Sequence, residues 1–120
     1  MRKDAELKKT IDEFIELTEK YKDTLIIVEG VNDRRALTEL GFSRIMTLNR
    51  PLYAVVESIE EKRVVILTDL DSEGKKLYRK LKSTLSERGI FVDDKLRNLL
   101  SKTELKQIEG LGGYLKRFAE

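Results

Sequence analysis

The chain has 120 residues, a length that fits one domain with a single packed core. Charged residues make up 38% and hydrophobic residues 40%, a balance that argues for a folded protein rather than a disordered one. There is no Cys and no His, which excludes disulfides, thiolate and imidazole metal sites, and every histidine-dependent triad or general base. Any metal must be held by oxygen, which favours Mg²⁺ or Mn²⁺. No apolar run approaches the ~20 residues that span a bilayer, and no signal-peptide pattern opens the sequence. The expectation is a cytoplasmic protein without membrane contact.

Net charge is +2, but it is unevenly distributed. Residues 1–74 carry 12 basic and 16 acidic side chains, whereas residues 75–120 carry 12 basic and 6 acidic. The carboxyl-terminal part therefore suits a polyanion, although a solvated helix surface accounts for its lysines taken alone.

In chain order, residues 4–21 read as an amphipathic helix. Asp4 is its N-cap, and Leu7, Ile11, Phe14, Ile15 and Leu17 lie near one side. Leu25-Ile26-Ile27-Val28 is an apolar strand ending in Glu29-Gly30. Asn32 caps a short helix to about Leu40, which Gly41 stops. Asp33, in its first turn, is either a cap or an outer residue of a site. Residues 44–48 form a second element of strand type, and Pro51 opens a helix carrying Leu52, Val55, Val56 and Ile59.

The next strand, Val64 to Thr68, has no polar alternation and so reads as buried on both faces. It runs into Asp69-Leu70-Asp71-Ser72-Glu73-Gly74. If the strand persists that far, Asp69 and Asp71 share a face and point into the crevice beyond its carboxyl end. Two carboxylates so close repel, and a divalent cation is the usual reason to keep both ionised. A helix from Ser72 to about Arg88 follows, with Leu77, Leu81 and Leu85 as its seam and Lys75, Lys76 and Arg79 nearest the acidic end. Arg34 flanks the same mouth from the earlier helix. Residues 93–100 read as a helix, 103–109 as a weak last strand, 110–113 as a glycine loop and 114–118 as a final helix. The alternation predicts an α/β, Rossmann-like three-layer sandwich with a mostly parallel sheet of about four strands.

The pairing of Glu29-Gly30-x-x-Asp33 with Asp69-x-Asp71-x-x-Gly74, each at a strand end, resembles the Toprim domain. That domain is shared by type IA and type II topoisomerases, bacterial-type primases and ribosomal-RNA maturase nucleases. The chain is most similar to small stand-alone, archaeal-type Toprim proteins. The resemblance covers roughly residues 24–115, leaving residues 1–23 as a helix packed on the sheet of one 1–120 domain.

It implies that Asp69 and Asp71 hold Mg²⁺ or Mn²⁺, and that Glu29 is a general acid/base and an additional metal ligand. Gly30 and Gly74 would allow close approach to a phosphate. Arg79 matches a basic position that follows the aspartates in primases and maturases. The implied function is metal-dependent phosphodiester chemistry on RNA or DNA, most nearly nuclease-like. Other nucleic-acid-processing proteins are possible partners. No topoisomerase-type tyrosine in a further domain, and no primase-type zinc module, is present in the sequence. Two other functions compete. One is a non-catalytic nucleic-acid-binding or adaptor module of a larger complex. The other is a haloacid-dehalogenase-type phosphatase, which expects Thr or Val where Glu73 stands and gives Glu29-Gly30 no role.

Overall fold

The computed structural model describes residues 2–118. Its centre is a parallel sheet of four short strands: β1 (Leu25–Val28), β2 (Ile45–Thr47), β3 (Arg63–Ile66) and β4 (Phe91–Val92). Their order is β2-β1-β3-β4. Leu25 pairs with Val64, and Val28 with Thr47.

The apolar strands supply two cores at once. Ile26, Val28, Val65 and Leu67 face one layer, together with Ile11, Phe14, Leu37 and Leu96. Leu25, Ile27, Val64 and Ile66 face the other, together with Val55, Val56, Leu81 and Leu85. Successive strand side chains point to opposite faces, so a strand covered on both sides needs apolar residues at every position. The first layer contains α1 (Arg2–Thr18), α2 (Val31–Glu39), α5 (Lys95–Ser101) and α6 (Leu111–Lys116). The second contains α3 (Leu52–Ser58) and α4 (Ser72–Glu87). The protein is thus an α/β, Rossmann-like three-layer sandwich.

This topology fixes where a ligand crevice can form. From β1 the chain crosses through α2 to β2; from β3 it crosses through α4 to β4, in the opposite direction. The strand order reverses between β1 and β3. In open α/β sheets the crevice lies there, beyond the carboxyl ends of the strands.

Several local expectations differ from what is found. Helix α1 already spans Arg2, so Asp4 lies within its first turn rather than capping it, and residues 19–21 tighten into a 3₁₀ turn. Ile15 is 43% exposed and leaves the buried stripe. Leu77 is only half-buried, its place in the seam taken by Gly74 and Tyr78 beside Leu81 and Leu85. The fourth strand is β4, not residues 103–109. That segment ends in a 3₁₀ turn at Ile108–Gly110, and Gly112 and Gly113 lie inside α6 rather than in a loop.

β4 escapes a periodicity reading because two residues carry no period. It is fixed instead by tertiary bonds. The Phe91 amide donates to the Lys62 carbonyl at 2.8 Å, and the Asp93 amide to that of Val64 at 2.9 Å. Asp93 then anchors three elements. Its Oδ2 accepts from the Tyr21 hydroxyl at 2.7 Å and from Arg63 Nε at 3.1 Å, while its Oδ1 accepts from the Lys95 amide at 3.1 Å. Burial alone would raise the Asp93 carboxyl, yet these donors hold it below the usual range. No helix of the described residues is long and apolar enough to cross a membrane.

Candidate functional site

Glu29 follows β1 directly, and its Oε2 accepts from the Asp69 amide at 2.8 Å. One carboxylate therefore joins the ends of β1 and β3 across the reversal point. Asp69 lies three residues past the end of β3, so strand alternation does not aim it. A tight turn does. Thr68 Oγ1 donates to the Gly74 carbonyl at 2.7 Å, and the Gly74 amide donates to Asp71 Oδ1 at 2.8 Å. Asp71 is thereby the N-cap of α4, where a carboxylate also meets the positive end of the helix dipole. Asp69 Oδ1 accepts from the Ile108 amide at 2.9 Å, and the Leu70 amide donates to the Lys106 carbonyl at 2.7 Å. The segment at 106–108 is thus laid against the turn.

The glycine of this motif has an internal reason. A Cβ on Gly74 would lie 2.0 Å from the Asp69 carbonyl oxygen, so no larger residue fits while α4 starts this close to β3. Gly30 differs. A Cβ there meets nothing within 4 Å, and its φ of −144° suits any residue. Gly30, not Asn32, precedes α2 as its cap residue, and its amide donates back to Asp33 Oδ2 at 3.0 Å. Asp33 is therefore a buried cap at the edge of the acidic group.

Two residues join the site without standing out in the sequence. Arg97 on α5 is 6% exposed. Its Nη1 donates to the Thr68 carbonyl at 2.7 Å and its Nη2 to the Asp69 carbonyl at 3.1 Å, with its guanidinium carbon 4.4 Å from the centre of the Tyr78 ring. Glu109 is exposed, and its charge reaches Asp33 and Asp69. Ile108-Glu109-Gly110 repeats the Val28-Glu29-Gly30 pattern, and that repetition is a signal the sequence does carry. Arg97 gives none, because its surroundings read like those of any helix arginine.

Electrostatics follow from this convergence. Burial raises the Glu29 carboxyl above its usual range, the Asp69 amide opposes, and Asp69, Asp33 and Asp71 add repulsion. Burial likewise raises Asp69; the Ile108 amide opposes, Asp71 and Glu109 add to the rise, and Arg97 counters it. Asp33 is raised chiefly by burial, against the Gly30 amide. Among the described residues no three acidic side chains form a ready-made metal cage. Glu29, Asp69 and Asp71 each give one oxygen to a backbone amide and keep the other. An all-oxygen, water-rich Mg²⁺ site needs only one or two such carboxylates, so this donor set fits that ion.

Lys75, Lys76 and Arg79 lie on the first turns of α4, next to the aspartates, with both lysines exposed. Arg34 is placed otherwise: it lines a groove beside β2 rather than the acidic mouth.

No protein-family model matches the chain. A UPF0292 protein of Methanocaldococcus jannaschii is 30% identical over 98% of both chains. The chain belongs to the UPF0292 family. A second UPF0292 protein, from Pyrococcus abyssi, is 40% identical over 74% of this chain and 70% of its own. A solved structure of an Aquifex aeolicus protein superposes with a TM-score of 0.74 at 34% identity, covering 82% of this chain and 94% of that one. The fold of this UPF0292 protein is thus also found in that Aquifex aeolicus protein, over nearly its whole length.

The packing at the two glycines makes opposite demands. Gly74→Ala should lose at least about 2 kcal/mol of stability in urea unfolding, by overpacking against the backbone. Gly30→Ala should change it by less than about 1 kcal/mol.

The carboxylates give a pH signature. A raised folded pKa means that stability is complete while the group is protonated in both states and declines as pH rises through the folded value. Asp69→Asn keeps an acceptor for Ile108 but removes the charge. Without divalent ions it should melt about 2–5 °C above the native chain at pH 7, and equal to it near pH ~3. Thermal unfolding followed by circular dichroism at the two pH values checks both arms.

Proposed function

We propose that the protein is a Mg²⁺-dependent Toprim-type module that cleaves phosphodiester bonds in nucleic acid. The observation that carries this reading is the joining of Glu29 to the Asp69 amide at the reversal point, with Asp71 beside them and a basic helix face starting at the same turn. Asp69 and Asp71 would hold Mg²⁺, which would neutralise charge on a phosphate undergoing transfer. Glu29 holds one oxygen fixed on the Asp69 amide, and its Oε1 is left to take a proton from an attacking water. Burial, the largest cause of its raised carboxyl, acts in the direction that proton exchange near neutral pH requires. Lys75, Lys76 and Arg79 steer and hold the phosphate backbone, and the α4 N-terminus favours negative charge near Gly74. The second reading, a binding or adaptor module, is favoured by one fact: Glu29 and Asp69 already serve as backbone acceptors, a structural use that survives without turnover.

Labelled RNA and DNA oligonucleotides incubated with Mg²⁺ or Mn²⁺ test this, with a small phosphomonoester as control. Cleavage of one polymer is expected. Glu29→Gln should lower turnover by about 10²- to 10⁴-fold and leave binding nearly unchanged, because the amide still accepts from Asp69. Lys75→Ala with Arg79→Ala should weaken binding to every sequence. It should also flatten the salt dependence by about 0.7 to 0.9 in log–log slope for each phosphate no longer neutralised. Binding without cleavage would establish the adaptor reading, and turnover of the phosphomonoester alone a phosphatase. Protein that neither binds nor cleaves at any salt would end the nucleic-acid reading.

A further inference from the structure

We propose that the open edge of the sheet along β2 is a second phosphate-binding surface and that it takes a single-stranded nucleic acid; this rests on the nucleic-acid reading above. β2 pairs with β1 on one side only. The Ile26 amide donates to the Arg44 carbonyl and the Leu48 amide to the Val28 carbonyl, so the residues between alternate inward and outward. Ile45 and Thr47 turn their amides to the open side.

Beside this edge runs a groove of about 500 Å³, lined by Arg34, Ser43, Arg44, Thr47, Asn49 and Arg50 among others, with no acidic side chain in its lining. Three elements supply the arginines: α2, the approach to β2 and the turn after it. Arg44 is paired with Glu61, and Arg50 Nη2 donates to Ser58 Oγ at 3.2 Å, so both guanidiniums are positioned while keeping further donors. The groove runs the length of the edge, from Ser43 and Arg44 before β2 to Asn49 and Arg50 after it, and because the strands are parallel only its latter end lies at the end of the sheet that carries Glu29.

The bond from Arg50 to Ser58 sets the end of this groove against α3, and an exposed ring on that helix decides the partner. Tyr53, in the first turn of α3 and close behind Arg50 in the chain, is 69% exposed, and Val31 at the start of α2 is 57% exposed. Arginines that track a backbone beside an exposed aromatic ring are the means by which proteins hold unpaired strands without reading sequence. This surface comes wholly from the half of the chain with net negative charge.

The test is fluorescence anisotropy with labelled single-stranded RNA and DNA 12-mers and the matching duplexes, in EDTA so that no metal-dependent cleavage intervenes. Arg44→Ala with Arg50→Ala should reduce the log–log salt slope for single strands by about 1.4, the value for two phosphates no longer neutralised. Tyr53→Ala should weaken single-strand binding roughly 5- to 100-fold and leave duplex binding unchanged. Circular dichroism and gel filtration verify that the variants fold as monodisperse species. An unchanged slope in the arginine variant overturns the proposal, as does equal loss on duplex and single strand for Tyr53→Ala. So does self-association of the arginine variant with unaltered binding, which would make the arginines guards of an open edge. The two readings fail separately. If Lys75→Ala with Arg79→Ala weakens binding but the β2-edge variants do not, the groove is wrong and the function stands. If the groove arginines govern binding but no polymer is ever cleaved, the groove stands and the nuclease reading falls.

Discussion

The acidic end of the sheet rests on a buried cation. Arg97 is sealed beneath the turn that follows β3, and its guanidinium supplies the donors that the Thr68 and Asp69 carbonyls require. Without it those carbonyls would be left unpaired in a dry place, at about 1–3 kcal/mol each. Burial disfavours the guanidinium charge and holds it below its usual range, while Tyr78, Asp94, Glu29 and Asp69 offset part of that cost. Carboxylates that repel one another can converge here because one positive charge lies directly below them. The same bonds hold the backbone of Asp69 in place, so its amide meets Glu29.

Topology then explains why these groups meet at all. Glu29 and Asp69 are 40 residues apart. They become neighbours because the chain reverses its direction of travel across the sheet between β1 and β3. Each βαβ unit leaves its own strand end free of an overlying helix, and only at the reversal do two free ends adjoin. The two helix layers are recruited differently. α4 reaches the site with its N-terminus, while α5 and the 106–108 segment reach it from the opposite face. The site is therefore assembled from both layers, which neither layer could achieve alone.

The fold is legible where residues carry their own periodicity. The uninterrupted apolar runs at 25–28 and 64–66 announce strands covered on both faces, and Gly41 and Gly89, with φ of +99° and +79°, follow the ends of α2 and α4. It is not legible where tertiary bonds decide. β4 exists because Lys62 accepts the Phe91 amide and Val64 the Asp93 amide just beyond it, and the 103–109 segment fails as a strand because Lys106 and Ile108 bond to the site turn instead. Strand-end placement is enough to pick out the acidic trio, but not to explain it: a cap and a turn, rather than strand alternation, orient Asp69 and Asp71. Arg97 is invisible in the sequence because its burial depends on Tyr78 and the turn, neither of which its own neighbours disclose. Glu109 shows the opposite failure, a repeated local pattern whose spatial partner only the folded chain supplies.

The bond from the Ile108 amide to Asp69 Oδ1 ties ligand occupancy to a distant part of the chain. Ile108 belongs to the 3₁₀ turn that leads straight into α6, whose Leu111, Tyr114 and Leu115 pack in the layer shared with α1. A ligand that rotated the Asp69 carboxylate away from Ile108 would break that bond. The released amide would then exchange its proton faster with solvent, and the restraint on the carboxyl-terminal helix would loosen. By reciprocity, anything that stiffens α6 against α1 would disfavour the rotated arrangement by the same free energy. The carboxyl-terminal helix would thus act as a spring against any ligand that rotated Asp69.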